Sequence, residues 1–194
     1  MEAIRIAFDR CVKTLTLRPS RGRSTGVSRT RIRHGLVCEI EEGPWRLTAD
    51  MPVPVGGSGS APTPGVFGRA AFGSCLAVCY MMHAAKLGVP ITSLDIEVQS
   101  DYDDGALFGL GTSEPGYSEV RYTVTVESPA PEHDVMRVLD EGDRCSPYLD
   151  NFRRALTCRR DVRIVPSQID RAAEAVHTAV QTAGHTAQSP EASS

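Results

Sequence analysis

The segment from Thr63 to Pro90 constrains this chain more than any other, because it reads as one long apolar helix with a cysteine, Cys75, near its middle. Thr63 suits the N-cap and Pro64 the first helical position. At the other end Lys86 suits the last turn, Gly88 the residue after the helix, and Pro90 forbids continuation. A helix that is apolar nearly all round belongs in the middle of a core. A thiol in such a place is either an inert small hydrophobe or the centre of a site.

Around that helix the periodicity predicts an α+β order. Ile4, Ala7, Phe8, Cys11, Val12 and Leu15 recur at helical spacing over residues 2–15. Residues 27–40 and 45–49 read as strands joined at Glu41-Glu42-Gly43-Pro44. A Gly, Pro and Ser-rich loop runs from Met51 to Pro64. Leu94, Ile96 and Val98 alternate with polar residues, as do Val120, Tyr122, Val124 and Val126, which predicts two half-buried strands linked by the Gly-rich stretch 103–116. Val135, Val138 and Leu139 mark a short helix, and Ser146-Pro147 opens another with Leu149, Phe152 and Leu156 inward. A strand over 161–165 and a helix from Ser167 follow, with residues 184–194 expected to be disordered. One antiparallel sheet covers one side of an apolar helix, so the other side needs a second cover; a homodimer is the simplest.

Length and charge bound the function. The chain of 194 residues suffices for one sizeable core. Its net charge of -3 hides an uneven distribution. Arg5, Arg10, Lys13, Arg18, Arg21, Arg23, Arg29, Arg31 and Arg33 crowd the first 33 residues against Glu2 and Asp9 alone. This basic arm reads as a solvated segment that contacts an acidic subunit surface; no recognition motif or aromatic stacking platform for nucleic acid accompanies it. Six cysteines are too few for a disulfide scaffold. Arg5, Asp9 and Arg10 stand where a signal peptide needs an apolar run. The uncharged apolar stretch Ala70 to Met82 is shorter than the about 20 residues that span a bilayer. A cytoplasmic protein with reduced thiols is expected, with no membrane partner.

Three arrangements of the thiols compete. Cys75, Cys79 and His83 fall at i, i+4 and i+8 on one helix, but two helical turns part His83 from Cys75, so they cannot share one ion, and no metal site is expected from them. Cys75 and Cys145 could instead form a peroxide-reducing pair, in which one thiolate becomes a sulfenic acid and the other condenses with it to a disulfide. Finally, all six could be structural, since free Cys is among the most buried residue types.

A series of motifs narrows the choice. Gly56-Gly57, Pro62-Thr63-Pro64, Phe72-Gly73-Ser74-Cys75-Leu76-Ala77, Leu87-Gly88-Val89 and Leu94-Asp95-Ile96-Glu97-Val98 occur in order, and Cys145-Ser146-Pro147-Tyr148-Leu149 follows. In order and spacing this series resembles the OsmC/Ohr family of osmotically inducible and organic-hydroperoxide-resistance proteins, in its general OsmC-like branch. The resemblance implies a domain over 27–166, flanked by an N-terminal helix and basic loop (1–26) and a C-terminal helix and tail (167–194). It implies an intertwined α+β homodimer whose antiparallel sheets wrap long central helices, with two sites at the subunit interface. Cys75 takes the position that attacks peroxide, and Cys145 the region of the second, resolving cysteine. Arg33 best matches the family's arginine on the N-terminal strand, although Arg29 and Arg31 share its face. A guanidinium there would favour the thiolate and hold the leaving oxygen.

Two positions depart from the pattern. Gly65 stands where the organic-peroxide branch has a glutamate that pairs with the arginine, and Ser146, not Cys145, directly precedes the proline. If Ser146 takes the resolving position, Cys145 points away. Two readings therefore stand. The first is a thiol peroxidase for organic or hydrogen peroxides that needs no metal or organic cofactor, with an external dithiol as reductant. The second is a non-enzymatic dimer of the same fold that binds a small apolar ligand or a protein.

Overall fold

The computed structural model describes residues 1–165; the helix expected from Ser167 and the tail beyond it lie outside them. The chain divides into two units, residues 1–155 and residues 156–194. The first holds every helix and strand among the described residues. These are α1 (Glu2–Leu17), β1 (Arg29–Ile32), β2 (Cys38–Glu42), β3 (Trp45–Ala49), α2 (Pro64–Leu87), β4 (Ser93–Asp101), α3 (Asp104–Leu107), β5 (Glu119–Glu127), α4 (Glu132–Cys145) and α5 (Pro147–Arg153). Residues 156–165 form no strand. The one expected over 161–165 has no partner strand among the described residues, and Ile164 is 94% exposed.

The long helix forms where expected. α2 spans 24 residues, with Pro64 in its first turn and Gly88 in the left-handed conformation just past its end, at φ 70°. By length and composition it could cross a membrane. In this fold it is the central element, against which α1, α4, α5 and β4 lie. β4 and β5 pair antiparallel over their full lengths, from Ser93 opposite Glu127 to Asp101 opposite Glu119. Their alternation turns Leu94, Ile96, Val98, Val120, Tyr122 and Val124 onto Phe72, Leu76 and Tyr80 of α2. Val138 of α4 and Leu149 of α5 complete the buried cluster.

The helix over residues 2–15 extends to Leu17. The strand expected over 27–40 is instead a hairpin. β1 and β2 pair antiparallel, Arg29 with Glu41 through Ile32 with Cys38, around a bend at residues 33–36. Gly35 allows that bend because it sits at φ 55°, a conformation that costs a Cβ-bearing residue energy. β3 adds a third strand next to β2. The sheet β1–β2–β3 leaves Ile32, Trp45 and Leu47 exposed.

Asp50 is the anchor between this sheet and α2. Its buried carboxylate accepts from the amides of Met51, Ser58 and Ser60 and from the hydroxyls of Ser58 and Ser60. Those bonds hold the carboxyl well below its usual range, with the Ser58 hydroxyl the largest cause. The loop they tie passes so close to Met51 that a Cβ on Gly57 would lie 1.8 Å from the Met51 carbonyl oxygen. That is the physical reason for one glycine of the Gly56-Gly57 motif.

The tightest helix contact is between α2 and α4. A Cβ on Gly142 would stand 2.3 Å from Cδ1 of Tyr80, so only glycine allows the crossing. The Tyr80 hydroxyl donates to Asp143 at 2.5 Å, and that of Tyr122, on β5, donates to the other oxygen at 2.9 Å. Helix, strand and helix are thereby pinned by one carboxylate. We expect Gly142→Ala to destabilise the protein by about 1–2 kcal/mol, overpacking exceeding the helix-propensity gain of alanine. A urea melt checks this; an unchanged midpoint would show that the crossing can spread without cost.

Candidate functional site

Cys75 sits halfway along α2, half-buried, on the side that faces the junction of α4 and α5. Its Sγ lies 3.5 Å from the Oγ of Ser146. Ser146 is 1% exposed and is the N-cap of α5, where its Oγ accepts from the Leu149 amide at 3.3 Å. That bond occupies a lone pair of the oxygen and leaves the hydroxyl proton able to point at the Cys75 sulfur. The Ser-Pro signal that opens α5 therefore also sets the neighbour of Cys75.

Cys145 is the last residue of α4 and is exposed. Its carbonyl oxygen is 4.0 Å from Sγ of Cys79, one turn beyond Cys75 on α2. Burial, followed by the neighbouring Cys75 and Cys145, pushes the Cys79 thiol up to about 11. All six cysteines are free.

His83 comes one turn further along. It is 5% exposed, and its Nδ1 lies 2.9 Å from the Cys79 carbonyl oxygen. Phe8 of α1 meets the ring edge-on, with centroids 5.7 Å apart. As the helical spacing requires, His83 does not join Cys75; across the helix interface it meets Glu141 and Cys145 instead.

Arg33 lies just past the end of β1, in the bend, where its Nε is 3.6 Å from the Glu39 carboxylate. Both side chains are more than half exposed. Within the chain no arginine makes a hydrogen bond or ion pair with Cys75 among the described residues. Arg69, half-buried on α2, donates to Ser100 at 3.4 Å, and its Nη1 would lie 3.4 Å from a Cβ on Gly65. The Gly65 departure thus leaves room beside a cation that the sequence reading did not single out. An open cavity of about 620 Å³ lies alongside α5, lined by Phe72, Tyr117, Tyr122, Tyr148 and Phe152 together with Glu119, Asn151 and Arg153. The Tyr80–Asp143–Tyr122 cluster and this cavity draw on four elements far apart in sequence, and no local motif announces either.

A family profile described as OsmC-like protein matches residues 57–161, more than half of the chain. The chain belongs to the OsmC-like family. The match takes in α2, β4, β5, α4 and α5, whereas α1 and the sheet β1–β3 precede it. Solved structures agree on the fold. An OsmC-like protein from Mycoplasma pneumoniae superposes with a TM-score of 0.57 at 13% identity, covering 67% of this chain and 88% of that one. An organic hydroperoxide resistance protein OsmC from Legionella pneumophila gives 0.50 at 16%, covering 67% and 90%. One from Elizabethkingia anophelis, an organic hydroperoxide resistance protein, gives 0.50 at 11%, covering 68% and 89%. At these identities the likeness shows the α+β fold of the OsmC-like proteins and nothing finer. No curated protein matches the chain in sequence.

The thiols should separate in reactivity. With its proton held to about 11, Cys79 presents about one thiolate in a thousand at pH 8, whereas Cys145 is open to solvent. Brief alkylation followed by peptide mapping should label Cys145 well before Cys79. Equal labelling would mean that the α2–α4 interface opens on the timescale of the reagent.

Proposed function

We propose that this OsmC-like protein is a cysteine-based peroxidase in which Cys75 attacks organic or hydrogen peroxide. The observation that carries the reading is the position of the Cys75 sulfur. It lies at the middle of the central helix, 3.5 Å from the Ser146 hydroxyl, next to the α4–α5 junction that bears Cys145. A hydroxyl that donates to sulfur favours the thiolate, the reactive form. The family fold and relatives bearing the name organic hydroperoxide resistance protein support the substrate class.

The chemistry balances with these residues. The Cys75 thiolate forms an S–O bond to one peroxide oxygen while the O–O bond breaks; the departing oxygen takes a proton and leaves as an alcohol or water. Cys145 then attacks the sulfenic sulfur, forming an S–S bond and releasing water. An external dithiol reopens the disulfide by exchange. Ser146, not Cys145, faces Cys75, so this step requires Cys145 to swing round from the exposed end of α4.

The same reading calls for a homodimer. Val66, Ala70, Ser74, Val78 and Met82 run down the open face of α2 at four-residue spacing, and Ile32, Trp45 and Leu47 are exposed on the first sheet. Two apolar faces of this kind on one chain call for mutual cover. Arg33 lies with Glu39 within the chain, so its proposed role beside Cys75 requires that the dimer bring a guanidinium to that thiol. Light scattering at micromolar concentration should give twice the chain mass of 20.9 kDa. A stable monomer would remove this source of the guanidinium.

The second reading, a non-enzymatic dimer that binds an apolar small molecule or a protein, is favoured by one observation: within the chain Arg33 is engaged by Glu39. Turnover separates the two. With a dithiol present, the wild type should consume cumene hydroperoxide, and Cys75→Ser should reduce the rate to background. After one equivalent of peroxide without reductant, mass spectrometry should show the loss of two hydrogens in a Cys75–Cys145 peptide pair. Absence of both consumption and disulfide would leave the binding reading in its place. Thiol chemistry that draws on an external dithiol suits a reducing compartment, which supports the reading of a cytoplasmic protein.

A further inference from the structure

We propose that His83, Glu141 and Cys145 form a zinc-type metal site across the α2–α4 interface, separate from Cys75. A ring nitrogen of His83, a Glu141 carboxylate oxygen and the Cys145 sulfur all lie within 4.8 Å of one another. Glu141 and Cys145 are four residues apart on α4, one turn, so both project to the same side. His83 faces them from α2. Three ligand atoms from two rigid helices are the usual scaffold of a bundle metal site.

The histidine is prepared for the role. Its Nδ1 is hydrogen-bonded to the Cys79 carbonyl oxygen at 2.9 Å. A carbonyl can only accept, so in the neutral ring Nδ1 carries the proton and Nε2 keeps its lone pair. A backbone carbonyl that fixes the ring and tautomer in this way is the usual outer partner of a metal-bound imidazole. The Phe8 ring, edge-on against His83, restrains it further. Glu141 is equally available. Arg144 engages its Oε2 at 2.7 Å and leaves Oε1 with no hydrogen bond among the described residues. The Cys145 side chain is exposed and open to an incoming ion.

Thiolate, imidazole and carboxylate together select zinc and its neighbours over magnesium or calcium, which take oxygen alone. With Zn–N near 2.0 Å and Zn–S near 2.3 Å, tetrahedral ligand atoms lie about 3.5 Å apart. The side chains must therefore close by about 1 Å, which rotation of the exposed Cys145 and half-exposed Glu141 allows. Two anionic ligands and a divalent ion give a neutral cluster, which suits a site with Lys86 and Arg144 close by. The fourth position opens to water. Three protein ligands with an open position are the pattern of a reactive zinc centre rather than a closed structural one. The site also accounts for a feature of the α4–α5 junction: Ser146, not Cys145, faces Cys75, and the Cys145 sulfur stands among metal-ligand atoms. Cys145 cannot hold the ion and resolve Cys75 at once, so bound zinc and a Cys75–Cys145 disulfide exclude each other, while zinc binding itself does not require Cys75 to be reactive.

The test uses the full-length chain, reduced and stripped of metal by a chelator. Zinc is titrated by calorimetry, and cobalt(II) by absorbance as a spectroscopic stand-in. We expect one site per chain, with a sulfur-to-cobalt charge-transfer band and the intense visible bands of a tetrahedral ion. Cys145→Ser should abolish the charge-transfer band and weaken zinc at least tenfold; Glu141→Gln should weaken it at least tenfold and keep the band. Cys75→Ser should bind as the wild type does. His83 is buried, so its replacement also perturbs folding, and the two α4 variants, on the open side of the site, carry the test. Undiminished affinity in both α4 variants would overturn the proposal, as would a charge-transfer band that survives Cys145→Ser and disappears in Cys158→Ser or Cys11→Ser.

Discussion

The contact between α2 and α4 at Tyr80 and Gly142 is the constraint on which the rest of the unit depends. Glycine at the crossing brings the two helices within reach of each other's side chains over several turns. The Asp143 carboxylate beside it accepts from Tyr80 on α2 and Tyr122 on β5. A half-buried carboxylate is costly to desolvate, and two phenol donors offset that cost. Burial, and then the same carboxylate, drive both phenols up from their ordinary range, so they stay protonated and remain donors at any physiological pH. Because the crossing is close, the end of α4 arrives beside Cys79 and His83, and the first residue of the next turn, Ser146, arrives beside Cys75.

This geometry sorts three neighbouring thiols into different environments. Cys79 is half-buried between the helices and kept protonated. Cys145 is exposed at a helix end. Cys75 alone has a buried hydroxyl as its neighbour. Thiol chemistry depends on which sulfur can shed its proton and which can be reached, so the packing of two helices gives these thiols different reactivities, on which the proposed peroxidase reading draws. The proposed metal site draws on the same crossing: it exists only because the i, i+4 pair on α4 faces His83.

Much of the fold was legible in the sequence for plain reasons. α2 declares itself through its length, its proline start and its glycine stop. β4 and β5 declare themselves through strict alternation, and the structure pairs them along their whole length. The differences are local. Residues 27–40 have the composition of one strand through His34-Gly35, but Gly35 at positive φ turns the chain back on itself. Residues 161–165 have strand-forming composition, but a strand needs a partner, and the described residues provide none there.

At the site, residue types and spacing along one helix were enough to put Cys75 at its middle and to part His83 from it, because helical geometry is periodic and local; the role proposed for Cys75 comes from the family resemblance. Which side chain of another element meets each of them could not be read that way. Ser146 rather than Cys145 beside Cys75, Glu141 and Cys145 beside His83, and Arg33 beside Glu39 all follow from where a helix crosses or a hairpin bends. A one-residue change of phase on α4 turns a side chain by about 100 degrees, and adjacent Cys145 and Ser146 look alike to any pattern of hydrophobic residues. The sequence by itself determined the family, the central helix and the cysteine at its middle. Only the tertiary structure decided what that cysteine touches, since contacts between elements depend on crossing geometry that no local period encodes.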